Sequence, residues 1–301
     1  MRLLLMVVAG GILAVALVVA VIVVPALLQV RGVEPPLPDA AELRSLLEVE
    51  DGPVRLRYVN TSSQAIGDRT LGHTVFLAEW ANGDVFMIDA GMDREQAAAF
   101  GELMQTLLDA GEARSHGTIA ELLGPEVQRV KGVAYTHLHI DHSQGTLPFC
   151  EARGPGARVF QTRWQAELHN FNTDEGAGIV ADSCLEPGEL SGGTILRPEG
   201  FPGLGLVGLG GHTPGSTLFA IPVDGQLWIF SGDITNTKQD LLTHTGKPAL
   251  YSYLMVPEHT GRTAQLRLWL AELDRRPDVR VVVSHDLTDI EASGMEEFVR
   301  P

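Results

Sequence analysis

The sequence predicts an α/β body, built of sheets covered by helices, that follows an N-terminal transmembrane helix. Three observations carry this expectation. The run from Leu3 to Leu28 carries no charge. Beyond it, short β-rich runs bounded by Gly, Pro or Asp are mixed with stretches of helical spacing. Hairpins mixed with helices in this way suggest sheets covered by helices rather than a doubly wound parallel sheet.

The apolar run comes first. A bilayer core of about 30 Å takes about 20 apolar residues at about 1.5 Å each. Leu3–Val24 meets that length, and Pro25 is a natural stop. A secretory signal peptide has a shorter apolar run, about 7–15 residues, but Val24-Pro25-Ala26 would serve as its cleavage site, so secretion after cleavage is the rival reading. A buried core helix fits less well, because the run has no polar face. Arg2 and the amino terminus precede the span and Arg31 follows it, so the positive-inside rule puts the body outside the cytoplasm, periplasmic or extracellular. The expected organisation is a membrane anchor over residues 1–30, a Pro-rich stalk over 31–38 and one globular domain over 39–301. In the stalk, Pro35, Pro36 and Pro38 favour an extended spacer, the alternative being an ordinary loop that opens the domain.

The body follows. Thr74–Trp80 and Val85–Asp89 are β-rich and joined through Asn82-Gly83, a hairpin signal because both residues tolerate positive φ. Arg94–Asp109 has helical spacing, with Phe100, Leu103, Met104 and Leu107 apolar. Val133–Thr136, Arg158–Gln161, Leu204–Leu209, Thr217–Ile221 and Leu227–Phe230 read as short strands. Thr260 is a good N-cap for a helix over Arg262–Arg275, with Leu266, Trp269, Leu270 and Leu273 on one face. Val279–Val283 is a last buried strand. No second linker or repeat interrupts this body, which therefore reads as one domain.

Charge narrows the function. Lys and Arg total 22 against 38 Asp and Glu, a net charge of −16. Nucleic-acid binding rests mainly on Lys and Arg neutralising phosphates, so a nucleic-acid partner is not expected and a small-molecule substrate is. Cys150 and Cys184 are the only cysteines; outside the cytoplasm they can pair, or they are simply buried.

The chemistry concentrates in Tyr135-Thr136-His137-Leu138-His139-Ile140-Asp141-His142-Ser143. In an extended segment alternate residues share a face, so His137 and His139 point the same way. Asp141 and His142 follow at the turn out of the strand. Three imidazoles and a carboxylate in so short a stretch are borderline ligands that suit zinc; a chance surface cluster is the bland alternative. His212 lies in Gly210-Gly211-His212-Thr213-Pro214-Gly215-Ser216, where the glycines allow the backbone to come close. Asp233 closes Ile229-Phe230-Ser231-Gly232-Asp233, and His285 closes Val281-Val282-Val283-Ser284-His285. Each follows an apolar run, so all three can gather at one sheet end. Of the other histidines, His73, His116, His169, His244 and His259, none has ligand spacing, although His169 sits near Trp164 and Phe171 and can line a pocket.

These residues resemble the metallo-β-lactamase superfamily, from the strands ending Ile88-Asp89-Ala90-Gly91 to His285. The resemblance implies a four-layer αββα sandwich with two divalent metal ions, zinc by the ligand types, in a groove at one edge. Iron or manganese would also fit a carboxylate-bridged site. It implies that His137, His139 and His212 hold the first ion, that Asp141, His142 and His285 hold the second, and that Asp233 bridges them. Asp89 resembles the structural aspartate beneath the metal loops. The expected reaction is hydrolysis: two divalent ions bring more charge than Asp141, Asp233 and a bridging hydroxide return, and the residual field polarises a carbonyl or phosphoryl oxygen. Coordination lowers the pKa of water from about 15.7 to about 7, and Asp141 would orient that hydroxide and carry its proton.

Within the superfamily the loop order is most similar to lactonases that open N-acyl homoserine lactones, which implies a lactone or other ester as substrate. One departure stands out. Those enzymes carry a tyrosine three positions after the bridging aspartate, where this chain has Asn236; Tyr251 or Tyr253 would have to replace it. Asp233 weighs against antibiotic β-lactam hydrolysis, and the short acidic tail after His285 weighs against a glutathione thioesterase. The net charge weighs against RNA-processing relatives. A non-catalytic metal-binding protein would be expected to have lost ligands.

Overall fold

The computed structural model describes residues 10–11, 13–14 and 16–300. Its strands are, in chain order, β1 (Arg55–Ile66), β2 (Arg69–Glu79), β3 (Val85–Ile88), β4 (Arg114–Ser115), β5 (Val130–Ala134), β6 (Arg158–Val159), β7 (Glu186–Pro187), β8 (Leu190–Gly192), β9 (Leu196–Pro198), β10 (Gly205–Gly208), β11 (Thr217–Val223), β12 (Gln226–Phe230), β13 (Val279–Val282) and β14 (Glu296–Glu297). One sheet runs β14-β1-β2-β3-β5-β6-β7, with β4 also on β1; the other runs β13-β12-β11-β10-β9-β8. The pair β2–β3 is antiparallel across the Asn82-Gly83 turn, where Gly83 takes φ +91. From β3 outward the first sheet turns parallel.

Side-chain alternation explains the layers. Along β2, Phe76 and Ala78 face the other sheet, while Val75 and Leu77 face the helices. Along β12, Phe230 faces inward and Leu227 and Ile229 face outward. Period-two alternation with both faces apolar makes a strand buried on two sides. Three apolar layers result. The middle one lies between the sheets, where Phe76 and Phe230 meet with ring centroids 4.3 Å apart. One outer layer packs helices such as Ile119–Leu123 and Thr146–Arg153 on the first sheet, and the other packs Ala40–Arg44 and Thr260–Asp274 on the second. Three cores between four layers are the αββα sandwich. Truncating Phe76 to Ala would cost about 3–5 kcal/mol, as is usual for a large buried aromatic.

The N-terminal expectation is corrected. Among the described residues no helix is long and apolar enough to cross a membrane, so the transmembrane helix and its membrane anchorage are not supported; residues 1–9, 12 and 15, part of Leu3–Val24, lie outside the described residues. The end of the apolar run has another use. Helix Val24–Arg31, which continues the π-helical turn Val19–Val23, buries Ala26 and Val30, and Gln29 donates to the carbonyl of His169 at 2.8 Å. The segment 31–38 runs along the body, with Val33 only 3 % exposed and the Pro35 carbonyl accepting from the Arg262 guanidinium.

Candidate metal centre

Four loops meet at one edge of the sandwich, each leaving the carboxyl end of a strand. After β5 the chain passes through His137 to His139, which caps the short helix Ile140–Ser143 carrying Asp141 and His142. His212 lies in the loop after β10, closed by the Leu209 N–H on the Ser216 carbonyl. Gly210 takes φ +64, and a Cβ there would stand 2.4 Å from the Val33 carbonyl, so only glycine lets the N-terminal strap cross this loop. Asp233 sits in the 3-10 turn Gly232–Ile234 after β12, and His285 follows β13.

The seven expected residues do come together. His137 Nε2 and His139 Nδ1 are 2.9 Å apart, and donor atoms of His137, His139 and His212 lie within 4.8 Å of one another. Asp233 Oδ2 is 3.9 Å from His212 Nε2 and 3.1 Å from His285 Nε2, and its Oδ1 is 3.6 Å from His142 Nε2. His142 Nε2 and His285 Nε2 are 3.2 Å apart, and Asp141 Oδ2 is 3.6 Å and 3.4 Å from them. Ligands at about 2.0–2.1 Å on a tetrahedral ion stand about 3.3 Å apart, so these spacings fit divalent cations. His139 Nε2, His212 Nε2 and Asp233 Oδ1 are buried with no hydrogen-bond partner among the described residues, a costly state that ion binding would relieve.

Supporting groups fix the rings. Asp89, fully buried and held at φ +63, accepts from the Thr136 N–H at 2.7 Å and bonds His142 Nδ1 at 2.9 Å. His212 Nδ1 meets Glu258 Oε1 at 2.5 Å, and His285 Nδ1 donates to the Gly72 carbonyl at 2.9 Å. Each bond occupies Nδ1 and leaves Nε2 to face the cluster, the usual second partner of a ligating imidazole.

The electrostatics are divided in two. Burial lowers His137 and His212 and pushes His139 down to about 3, which keeps these imidazoles in the neutral, ligating form. Burial would lower His142 as well, but Asp141, Asp89 and Asp233 outweigh it and hold it up at about 10. Three carboxylates thus favour positive charge at that spot, whether a proton or a metal ion.

The amino-acid pattern of this edge decides the family. A model of the metallo-β-lactamase superfamily matches residues 68–285. The chain belongs to that superfamily. One curated relative is a ribonuclease from Thermus thermophilus, 28% identical over 160 residues that make up 48% of this chain and 36% of that protein. The chain spans about a third of that relative's length. Among solved structures, a B. thuringiensis protein with N-decanoyl-L-homoserine at its active site superposes with a TM-score of 0.56 at 16% identity, over 80% of this chain and 96% of that one. An N-acyl homoserine lactone hydrolase with N-hexanoyl-L-homoserine at its catalytic metal centre gives 0.55 at 16%, with the same coverages. A probable metal-dependent hydrolase from Staphylococcus aureus gives 0.54 at 16%, over 79% and 91%. At such identities these structures share the superfamily fold.

Three residues of this metallo-β-lactamase edge escape a reading by spacing. His73, on β2, brings Nδ1 to 3.5 Å from Asp141 Oδ2. Glu258 holds His212, takes the Ser252 hydroxyl at 2.7 Å and faces Lys247 Nζ at 3.0 Å; burial would raise its pKa, but Lys247 and His212 pull it down to about 2. Lys247 in turn lies over the Tyr251 ring, 5.2 Å from its centroid. Burial raises the Tyr251 hydroxyl, Lys247 opposes, and Asp233, Glu258 and Asp141 add to the rise, to about 12. Tyr251 therefore stands within the field of the cluster, whereas Tyr253 is exposed and pairs with Thr260. Asn236 offers its carbonyl to Arg69 at 3.5 Å. Of the remaining histidines, His116 bonds Ser63, His259 faces Glu34, and His169 lines a surface cleft with Phe171, Val21 and Pro25.

Proposed function

We propose that this superfamily hydrolase acts through two divalent ions, zinc by donor type, on a lactone or other ester of a small molecule. The observation that carries the reading is Asp233, whose two oxygens reach toward imidazoles of both donor sets. His137, His139 and His212 would hold one ion and Asp141, His142 and His285 the other, with Asp233 between them. When bound, such ions polarise a carbonyl and supply a nucleophile from water near neutral pH.

The side chains do the rest. Glu258, Asp89 and the Gly72 carbonyl hold three imidazoles in orientation, which limits the reorganisation needed during reaction. Asp141, itself in the second donor set, can accept a proton and pass it to the leaving group. Tyr251, protonated at neutral pH, donates to the substrate carbonyl in place of the residue missing at Asn236. The similarity to lactone hydrolases supports an ester substrate as analogy of fold. A phosphodiester, which the ribonuclease relative suggests, would meet a chain of net charge −16. The disulfide between Cys150 and Cys184 supports action outside the cytoplasm, since such bonds persist in oxidising compartments.

The test is turnover of acyl lactones, aryl esters, thioesters, a β-lactam and a phosphodiester by protein loaded with two equivalents of zinc, with Asp233→Ala as control. Preference for lactones or esters, abolished by chelation, is expected. Preference for the phosphodiester or β-lactam overturns the substrate assignment, and turnover that survives chelation overturns the metal mechanism.

A further inference from the structure

We propose that His73 is a ligand of the second metal position, adding a nitrogen that the His-x-His-x-Asp-His motif does not supply. The inference rests on the dinuclear reading above. His73 comes from β2, more than sixty residues before that motif, and its side chain is 3 % exposed. Donor atoms of His73, Asp141 and His285 all lie within 4.8 Å of one another. The His73 ring stands at 69° to that of His285, with centroids 5.0 Å apart.

The ring is held without the use of Nδ1. Gly72 and His285 are tied in both directions, by the Gly72 N–H on the His285 carbonyl and by His285 Nδ1 on the Gly72 carbonyl. On the other side β1 carries a bulge at Thr61, whose hydroxyl donates to the His73 carbonyl at 2.9 Å. Phe100 meets the imidazole edge-on at 4.8 Å. Bulges are common beside active sites, where they re-aim a side chain.

Nδ1 is then buried with no hydrogen-bond partner among the described residues, and it faces Asp141 Oδ2. A histidine kept only for packing would normally have its buried ring nitrogens bonded. The 3.5 Å separation is long for a hydrogen bond to a carboxylate. It is close to the roughly 3.3 Å expected between two ligands of one ion. The second position would then draw on His73, Asp141, His142, Asp233 and His285. The first keeps His137, His139, His212 and Asp233, so the two positions differ in donor number and the ions in affinity.

The experiment titrates the metal-free protein with Co2+ against a chromophoric chelator, for wild type, His73→Phe and His73→Asn. The phenyl ring keeps the packing on Phe100 and removes the nitrogen, while Asn puts an amide oxygen near the place of Nδ1. Wild type is expected to take two equivalents. His73→Phe should take the first normally and the second about 10–100-fold more weakly, a loss of the order seen when a metal site loses a supporting group. The visible cobalt band of the second equivalent should gain intensity as one donor leaves, and His73→Asn should recover part of both. Wild-type affinity with an unchanged band in His73→Phe overturns the proposal. Weaker binding with an unchanged band also overturns it, leaving His73 as a positioning residue for Asp141. A wild type that takes only one equivalent fails earlier, at the dinuclear reading itself. Thermal melts of the metal-free variants check that the fold is intact, and His73→Leu, smaller and also without a donor, gives the same reading as His73→Phe if the larger ring disturbs the strand.

Discussion

The Glu258 carboxylate accepts a hydrogen bond from Nδ1 of His212 at 2.5 Å, so the imidazole can present only Nε2 to the cluster. Substituting Glu258→Gln is expected to weaken the first metal equivalent by about 10–100-fold in a chelator competition. It also leaves the Lys247 ammonium, 4 % exposed, without its counter-charge, which costs about 3–5 kcal/mol for a buried pair and should appear in the melting temperature. A variant matching wild type in both measurements would remove Glu258 from the site.

Asp233 has oxygens within 3.9 Å of imidazoles of both donor sets. Asp233→Ala should bring bound zinc from two equivalents to one or fewer, read by elemental analysis after dialysis, with hydrolysis lost in step. Two full equivalents in the variant would mean that the two sets are independent.

Tyr251 differs from these in leaving the donors alone. Tyr251→Phe should keep full zinc content and lower kcat by about 100-fold, as for loss of a single oxyanion donor. Tyr253→Phe, at an exposed position, should change nothing. Equal effects of the two substitutions would rule out a special place for Tyr251.

Cys150 and Cys184 are 34 positions apart in sequence. Closing a loop of that size stabilises the fold by about 3–4 kcal/mol in the chain-entropy account. Cys150→Ser with Cys184→Ser should lower the melting temperature by that equivalent without changing zinc affinity. An unchanged melt would argue that the reduced chain is already ordered there.

Much of this was legible from residues. Four of the seven candidate donors are legible as one dense His-x-His-x-Asp-His cluster, and His212, Asp233 and His285 because each follows an apolar run, whose stop at a polar residue marks the end of a buried strand. His73 and Glu258 gave no such signal: one sits within a strand, the other just ahead of a helix, and only the fold brings them near. Strand β1 went unread because Asn60, Thr61, Ser62, Ser63 and Gln64 hide its pattern. Several of these polar groups are buried by bonding, as where Gln64 donates to the carbonyls of Gly101 and Gly111. The apolar N-terminal run reads as a span by hydropathy alone; among the described residues no helix is long and apolar enough to cross a membrane, and while Val23, Ala26 and Val30 are buried, Leu17, Val18, Val21, Ile22 and Leu28 stay exposed.

The strap over residues 31–38 has a mechanical consequence. Arg262 donates to the Leu209 carbonyl on one side and to the Pro35 carbonyl on the other, and Val33 lies on Gly210, two positions from His212. Tension applied at the amino-terminal end would therefore be carried within a few bonds to an imidazole of the metal edge. Whatever holds or pulls that end has a short lever on the reacting centre.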